Sequence, residues 1–335
     1  MLFRSYMIQT LKLWMSQQHL GVFLACITGF SAFGLQAQTV WPQKTVRIMV
    51  GFPGGSTPDT AARILADGLS KLWGQPVVVE AKVGAAGNLA ADGVAKANDD
   101  HTLGVVINGN LTTAKLLNPK LTYDPVKDLL PVSLLATAPL LLVSPADLPA
   151  AAAWVGAVRQ AGEKLSYGSV GIGSVGHLGI EVVKAAIGQS GAVHVPYNGN
   201  PAVINAMLGG QIQMALMPPA VAMPHVKAGK LQAVGLAGPR SPLAPDVASL
   251  AEVGVRMSPL EVWVALVAPA SLSKPAQERL AADLATLFKD NEIRQRMLAG
   301  GWDPLGSSSA VLANRVRDET RLLGDIIISR GIKLE

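Results

Sequence analysis

Short β-branched runs alternate along the chain with longer segments in which apolar residues recur at helical spacing. Residues 46–50 form the first such run, and residues 58–72 form the first helical segment, with Thr57 at the predicted N-cap and Pro58 at the first helical position. The alternation continues with a strand at 77–80, a helix at 89–97 and a strand at 103–107. This order predicts a parallel sheet covered by helices.

A second unit repeats the same alternation. Its predicted strands cover residues 140–143, 165–169, 193–195, 212–216 and 231–236, and its predicted helices cover 150–160, 201–208, 223–227 and a segment that follows the glycine-rich turn 171–176 and runs to 187. A strand at 262–267 could return to the first sheet, followed by amphipathic helices at 274–287 and 310–328, the last of which we expect to pack along the first domain.

The chain therefore leaves a first domain near residue 140 and returns to it near 260. We predict a discontinuous α/β domain formed by residues 38–140 and 261–335, and a second α/β domain formed by residues 141–260. Two crossing segments make a natural hinge. Because ligands of open α/β sheets bind beyond the carboxyl ends of the strands, we expect an interdomain ligand cleft.

The first 37 residues have the features of an export signal. Arg4 and Lys12 supply a basic region, residues 20–35 are apolar and too short for a comfortable membrane span, and cleavage is predicted after Ala37. A membrane anchor or a buried core helix is the alternative, and Met7 or Met15 could be the true start. The longest later apolar run, residues 134–143, is predicted to be a buried strand.

Cysteine usage and charge exclude several classes of protein. The only cysteine is Cys26, where lipidation is disfavoured because the apolar run continues past it. The mature chain then has no disulfide and no thiolate metal site. Its net charge falls from +5 to +3 when two basic residues leave with the signal, which predicts no nucleic-acid partner. Five histidines without spaced Cys, Asp or Glu partners predict no metal, and we expect no cofactor.

The first candidate site is the loop that contains Gly54, Gly55, Ser56, Thr57 and Asp59. It follows a strand and opens a helix, so its free N–H groups and the helix dipole favour an anion. The loop lacks the Gly-Lys-Ser/Thr ending of a nucleotide-binding P-loop. Asp59 either satisfies the helix dipole or hydrogen-bonds a ligand or an ordered water.

The second candidate site contains Ser169, Gly173, Ser174 and His177, in a loop that again opens a helix. The loop matches the dinucleotide pattern G-x-G-x-x-G, but the next predicted strand ends without the acid that this function requires. Ser174 and His177 could also form a nucleophile and base of a hydrolase or isomerase. Helix capping by Ser174 and packing of His177 are the simpler interpretation.

Tyr197, Asn108 and Asn110 complete the candidate set. Tyr197 follows a strand and could form one wall of a pocket, or it could be a half-buried residue of a turn. Asn108 and Asn110 follow a strand of the first domain and are either turn formers or ligand donors. None of these loops contains Arg or Lys, which favours reversible capture of an anion over acid–base catalysis, and so a binding protein over an enzyme.

Ordered motifs over nearly the whole mature chain resemble one family. They include Gly-Gln-Pro-Val-Val-Val-Glu at 74–80 and Val-Pro-Tyr at 195–197; the other stretches are 41–63, 84–88, 167–178, Gly199, 228–231, 240–242, 245–247, 250–254, 267–269 and 331–335. In these stretches the chain resembles the periplasmic solute-binding proteins of tripartite tricarboxylate transporters, the Bordetella uptake gene type.

The resemblance implies a two-domain, hinge-closing periplasmic-binding-protein fold of type II and a small carboxylate held by backbone groups and ordered waters. The two ligand loops of the family correspond to residues 54–59 and 169–177. Its ligands are mostly di- and tricarboxylates, acidic amino acids and aromatic or heterocyclic carboxylates. The implied partner is a membrane permease, and a periplasmic sensory adaptor for a signalling partner is the alternative. We expect a monomer in the periplasm.

The chain departs from the family pattern at two positions of the candidate site. Ser56 replaces one of two paired glycines, and Met217 stands where the family commonly has an acid that can meet an amine or a water. The loss of this acid predicts a carboxylate ligand without an ammonium group, with an apolar portion near Met217.

Overall fold

The β-branched runs of the sequence form the strands of two separate β-sheets in the computed structural model, which describes residues 41–189 and 191–333. The predicted signal peptide, Cys26 and the cleavage site after Ala37 lie outside the described residues. None of the helices among the described residues is both long and apolar enough to cross a membrane.

The strands are short, apart from two long ones that lie side by side in the first sheet. In chain order they are β1 (Val46–Val50), β2 (Val77–Ala81), β3 (Thr102–Ile107), β4 (Leu129–Pro139), β5 (Leu141–Pro145), β6 (Ser166–Ser169), β7 (Val193–Pro196), β8 (Met214–Met217), β9 (Leu231–Leu236), β10 (Glu261–Pro269) and β11 (Asp303–Pro304).

The helices cover both sheets and include two short ones directly after β3. In chain order they are α1 (Thr57–Trp73), α2 (Asn88–Ala95), α3 (Asn108–Leu111), α4 (Ala114–Leu117), α5 (Ala151–Ala161), α6 (Val175–Ala186), α7 (Asn200–Leu208), α8 (Pro219–Lys227), α9 (Lys274–Leu287), α10 (Asn291–Ala299) and α11 (Ser309–Arg330). The N-cap of α1 is Ser56, one residue before the predicted Thr57.

The first sheet has the strand order β11-β4-β10-β3-β1-β2, and the second has the order β7-β6-β8-β5-β9. The prediction of parallel pairing is confirmed for β2-β1-β3 and for β7-β6-β8. The strands that carry the chain between the sheets pair in the opposite direction: β10, which returns to the first sheet as predicted, is antiparallel to β3 and β4, and β5 is antiparallel to β8 and β9. These strands enter the sheets from the crossing segments instead of through a helical βαβ connection.

The chain crosses between the sheets at two adjacent places. Leu140 alone separates β4 from β5, and residues 237–260 lead back from β9 to β10. Ala237 N–H donates to the carbonyl of Leu140 at 2.8 Å, and Leu260 N–H donates to the carbonyl of Ala237 at 2.8 Å. The apolar run 134–143 is therefore not one buried strand but the end of β4 and the start of β5. The exact bounds of the two domains stay a prediction.

Helix α11 packs on both halves of the molecule. Leu312, near its start, is buried in a cluster with Trp263 and other residues of the first sheet. Leu323 and Ile327, near its end, are buried in the cluster that surrounds Tyr167 of the second sheet. The helix thus packs along the first domain, as expected, but its last turns also belong to the core of the second half.

Gly51, which follows β1, lies against the backbone of Gly87. A Cβ atom at Gly51 would stand 2.2 Å from the Cα of Gly87, so any side chain would force two backbone segments apart. We expect Gly51→Ala to lower the free energy of unfolding by about 3 kcal/mol.

Gly156→Ala is the matched control, because Gly156 lies in α5 with open space where its Cβ would be. Alanine there should raise the free energy of unfolding by about 0.5–1 kcal/mol. Urea unfolding measures both changes, and equal effects of the two substitutions would contradict the close approach.

Candidate ligand-binding site

A partly enclosed cavity lies between the two sheets where the chain crosses from one to the other. Both halves of the molecule contribute to its walls. The lining residues are Phe52, Ser56, Thr57, Pro58, Ile107, Asn108, Leu140, Val170, Ser174, Val175, Gly176, Gly199, Asn200, Leu216, Pro218, Val262 and Trp302. None of these described residues has a charged side chain, so the cavity is mainly apolar with a few polar groups.

Three helices of eight or more residues begin at this cavity. The first turns of α1, α6 and α7 contribute Ser56–Pro58, Ser174–Gly176 and Gly199–Asn200 to its walls. The N–H groups of a first helical turn have no partner within their own helix, and the helix dipole gives them partial positive charge. The cavity can therefore accept an anion although its walls contain no cationic side chain.

Two buried polar atoms of the lining residues lack a hydrogen-bond partner. Among the described residues only three buried side-chain atoms are unpaired, and two of them are Ser56 Oγ and Asn108 Oδ1. Ser56 is 2% exposed and, although it is an N-cap, its hydroxyl does not cap α1. Unpaired buried polar atoms are rare in folded proteins, so these two atoms are the ones available to pair with a bound water or ligand.

Thr57 is the point at which the two halves are joined beside the cavity. Its carbonyl accepts a hydrogen bond from Trp302 Nε1 at 3.0 Å, and its hydroxyl accepts one from Asn200 Nδ2 of the second half at 3.4 Å. Sequence reasoning missed both partners. The Asn-Pro pair at 200–201 is a helix-start signature that could have identified Asn200, whereas nothing in the spacing of the sequence marks Trp302.

Ser169, Gly173 and His177 lie behind the cavity wall and fix the loop before α6. Gly173 N–H donates to His177 Nδ1 at 3.0 Å, and the Gly173 carbonyl accepts from Thr113 Oγ1 of the first half at 2.8 Å. Ser169 Oγ is hydrogen-bonded to Nε2 of His194 at 2.7 Å. Ser174 lines the cavity and also caps α6, since its hydroxyl oxygen accepts from the N–H of His177 at 3.3 Å.

The imidazole of His177 is stacked on that of His194, with the ring centres 3.9 Å apart. Burial, with Lys184 as a second cause, lowers the pKa of His177 to about 4, and burial together with the neighbouring His177 lowers the pKa of His194 to about 3. Neutral His177 can accept the Gly173 N–H at Nδ1, whereas the imidazolium cannot. The loop geometry therefore depends on uncharged histidines.

Four predicted site residues of the first half do not line the cavity. Gly54 and Gly55 are exposed. Asp59 accepts hydrogen bonds from Arg63 and from Gly55 N–H, so its carboxylate holds the loop and does not face the ligand space. Asn110 donates to the carbonyl of Ala86 and to Asn88, and it accepts from the backbone of Ile107, which makes it a structural residue.

Met217 and Tyr197 are also outside the cavity. Met217 is 1% exposed and packs in the apolar cluster of the second sheet, whereas its neighbours Leu216 and Pro218 line the cavity. Successive side chains of a strand point to opposite faces, so the side chain of Met217 points away from the cavity, and an apolar ligand portion near this stretch stays a prediction. Tyr197 is half-buried and lines a separate opening between the halves, beside Ala86 and Gly171.

At two close contacts between the halves, one of the two contacting residues is a glycine. A Cβ atom at Gly171 would lie 2.5 Å from the Cβ of Ala86, and one at Gly301 would lie 2.1 Å from the Cβ of Ala220. Gly171 and Ala220 belong to the second half, and their partners belong to the first. The structure is therefore closed around the cavity, and glycine makes this close approach sterically possible.

Two α/β halves, two crossing segments and a cavity between them define the class of two-domain periplasmic binding proteins. Solved structures of this class match nearly the whole described chain. MatC from Rhodopseudomonas palustris with bound malate has a TM-score of 0.79 and 30% sequence identity, covering 86% of this chain and 100% of MatC. An adipate-bound protein of the same bacterium has a TM-score of 0.83 and 27% identity, covering 88% and 99%.

The family model described as the tripartite tricarboxylate transporter family receptor matches residues 61–332. A UPF0065 protein of Agrobacterium vitis, from the TAR-I ttuE-ttuC' intergenic region, is 31% identical over 302 residues, which cover 88% of this chain and 87% of that protein. The chain belongs to the tripartite tricarboxylate transporter family of receptors, as its motifs predicted. Among the described residues, no group of three or more His, Cys, Asp or Glu could hold a metal ion.

The histidine stack predicts acid sensitivity. An unfolded histidine titrates near pH 6.5, whereas folded His177 titrates near 4, so between these values the unfolded state binds more protons. The free energy of unfolding should therefore fall as the pH falls from 6.5 to 4, by about 1 kcal/mol per pH unit for His177. Urea unfolding at several pH values measures this slope.

His177→Asn, which keeps an acceptor for Gly173 N–H, should flatten the pH dependence, and His225→Asn on α8, outside the stack, should leave it unchanged. An unchanged slope in His177→Asn would show that another group controls the acid response.

The close approach of Ala220 to Gly301 predicts that a larger side chain there opens the molecule. Ala220→Leu should increase the radius of gyration of the unliganded protein in small-angle X-ray scattering, because the added atoms collide with the first half. A tenfold drop in the closed fraction would weaken ligand binding about tenfold. Ala228→Leu, at the exposed far end of α8, is the control. Equal radii for both variants would contradict this account of closure.

Proposed function

We propose that this chain is an exported receptor that captures a small carboxylate in the cavity between its two halves and delivers it to the membrane permease of a tripartite transporter. The single observation that carries the proposal is Ser56, a buried N-cap residue whose hydroxyl is left unpaired at the cavity. A carboxylate that accepts from this hydroxyl and from the first-turn N–H groups would satisfy all of these donors.

The chemistry of the cavity supports binding over catalysis. None of its described lining residues has a titratable side chain, so no general acid or base lies next to the ligand space. Nor does the imidazole of His177 activate Ser174, because its Nδ1 accepts from Gly173 and the Ser174 hydroxyl is bonded to the backbone N–H of residue 177.

The lack of charged side chains in the cavity wall also restricts which carboxylates can bind. Helix starts stabilise an anion by roughly 0.3–1 kcal/mol each, enough in combination for reversible capture. An ammonium group would find no carboxylate among the described residues that line the cavity, so a carboxylate without an ammonium fits best. Domain closure around it then provides the conformational signal that a permease can recognise.

A thermal-shift and calorimetric panel of mono-, di- and tricarboxylates, including malate and adipate, tests the proposal. A ligand that binds only the folded state raises its stability by RT ln(1 + [L]/Kd), so at least one carboxylate should raise the melting temperature. Ser56→Ala should weaken its binding about 10- to 100-fold, because a hydrogen bond to a charged group is lost.

Ser308 serves as a control that distinguishes an effect on ligand affinity from an effect on stability. Ser308 caps α11 through its hydroxyl, whereas the Ser56 hydroxyl caps nothing. Ser308→Ala should therefore lose about 1 kcal/mol of stability and keep its carboxylate affinity, while Ser56→Ala should do the reverse. No shift with any carboxylate in the panel would overturn the proposal. Loss of uptake of the bound carboxylate in a deletion strain would distinguish a transport receptor from a sensory adaptor.

A further inference from the structure

The side chain of Asn108 presents a hydrogen-bond acceptor to the cavity. Asn108 is 0% exposed and lines the cavity at the start of α3. Its Nδ2 group donates to Glu319 Oε1 at 2.7 Å and to the carbonyl of Glu261 at 3.2 Å. Both amide protons are therefore used on the side of α11 and β10, and the unpaired Oδ1 is the polar atom that Asn108 offers to a ligand.

Glu319 determines the direction in which this amide points. It is 7% exposed, and its Oε2 accepts from Trp263 Nε1 at 2.7 Å and from Arg315 Nε at 3.0 Å. Arg315 also pairs with the carboxylate of Glu261 at 2.8 Å. These contacts fix the Glu319 carboxylate behind Asn108, and an ionised carboxylate can only accept hydrogen bonds.

Turning the Asn108 amide over would therefore be costly. Its Oδ1 would then stand where Nδ2 now lies, close to the carboxylate of Glu319 and the carbonyl of Glu261, and both contacts would join two acceptors. The cavity wall consequently holds a fixed acceptor at Asn108 in addition to the donors of the helix starts. A carboxylate oxygen at Asn108 would be repelled, whereas a ligand group that carries a hydrogen would be bound.

Charge and size identify this group. An ammonium would be buried without a carboxylate in the described cavity wall, which is unfavourable. A hydroxyl is a neutral donor and adds only one heavy atom to the ligand. The two ligand-bound neighbours do not decide the question, because malate has a hydroxyl and adipate does not.

We propose that the ligand is a hydroxycarboxylate, with its carboxylate at the first turns of α1, α6 and α7 and its hydroxyl donating to Asn108 Oδ1. This inference rests on the proposed carboxylate-binding function. It makes Asn108 a specificity-determining residue and Glu319, which does not line the cavity, the residue that positions it.

Two series of acids that differ only at the second carbon test the hydroxyl directly. They are propionate, lactate and alanine, and succinate, malate and aspartate, which carry in turn hydrogen, hydroxyl and ammonium at that carbon. Calorimetric titration of the full mature chain should show that the hydroxy acid of the series that fits binds about 10- to 100-fold more tightly than the other two.

Two substitutions connect this preference to the structure. Asn108→Leu removes the acceptor and should reduce the ratio of hydroxy-acid to deoxy-acid affinity towards one. Glu319→Gln places an amide behind Asn108; since Trp263 and Arg315 both donate, the Gln oxygen should face them and its NH₂ should face Asn108. The Asn108 amide can then turn over and present Nδ2 to the cavity, so the same ratio should fall without loss of deoxy-acid binding.

Glu292→Gln, on the exposed surface of α10, is the matched control and should keep the wild-type ratio. A Glu319→Gln protein that loses thermal stability but keeps the ratio would show a purely structural role and overturn the positioning role. Carboxylate binding without preference for lactate or malate would overturn the hydroxycarboxylate inference alone. If no acid of the wider carboxylate panel bound, the proposed function and this inference would both fail.

Discussion

The convergence of three helix starts on one nearly apolar cavity is the constraint on which the arrangement of the two halves depends. The free first-turn N–H groups of α1, α6 and α7 have no acceptor within their own helices, and the mainly apolar walls of the cavity offer few others. Since α1 belongs to the first half and α6 and α7 belong to the second, neither half completes the site alone. An anion bound between them would satisfy both sets of donors, and closure and binding would then be one event.

The loops that meet at the cavity are fixed by groups that never reach it. Asp59 joins Arg63 to the loop before α1, and the imidazole of His177 holds Gly173 before α6. Such supports reduce the entropy lost when a ligand binds, because the donors already point in the required direction. Several polar residues near the site therefore have a structural role, and the atoms that remain free for a ligand are few.

The residues next to each helix start made its position predictable from the sequence. A strand followed by glycines, a serine and a helical pattern identified both Ser56 and Ser174, and Asn108 was recognised because it follows a strand. The direction of side chains was not predictable in the same way. Met217 was a candidate because it stands where the family commonly has an acid, but strand alternation turns Leu216 towards the cavity instead.

Long-range pairing was the other part that the sequence did not reveal. The continuous apolar run around Leu140 conceals the point at which the chain changes sheets, because both sides are equally buried. Glu319 lies 211 positions from Asn108, and periodicity contains no information about a contact at that separation. The expectation that α11 packs on the first domain followed from its place in the chain, and its contact with the second half became visible only in the fold.

Helix α11 limits how far the two halves can move apart. Its early residue Leu312 is anchored in one core, and Leu323 and Ile327 are anchored in the other, along 22 residues of continuous helix. A helix resists bending, so the halves cannot swing apart far unless its last turns detach and expose leucine and isoleucine to water. The helix therefore acts as a tether, and the range of the hinge depends on how many of its terminal turns can be released at the working temperature.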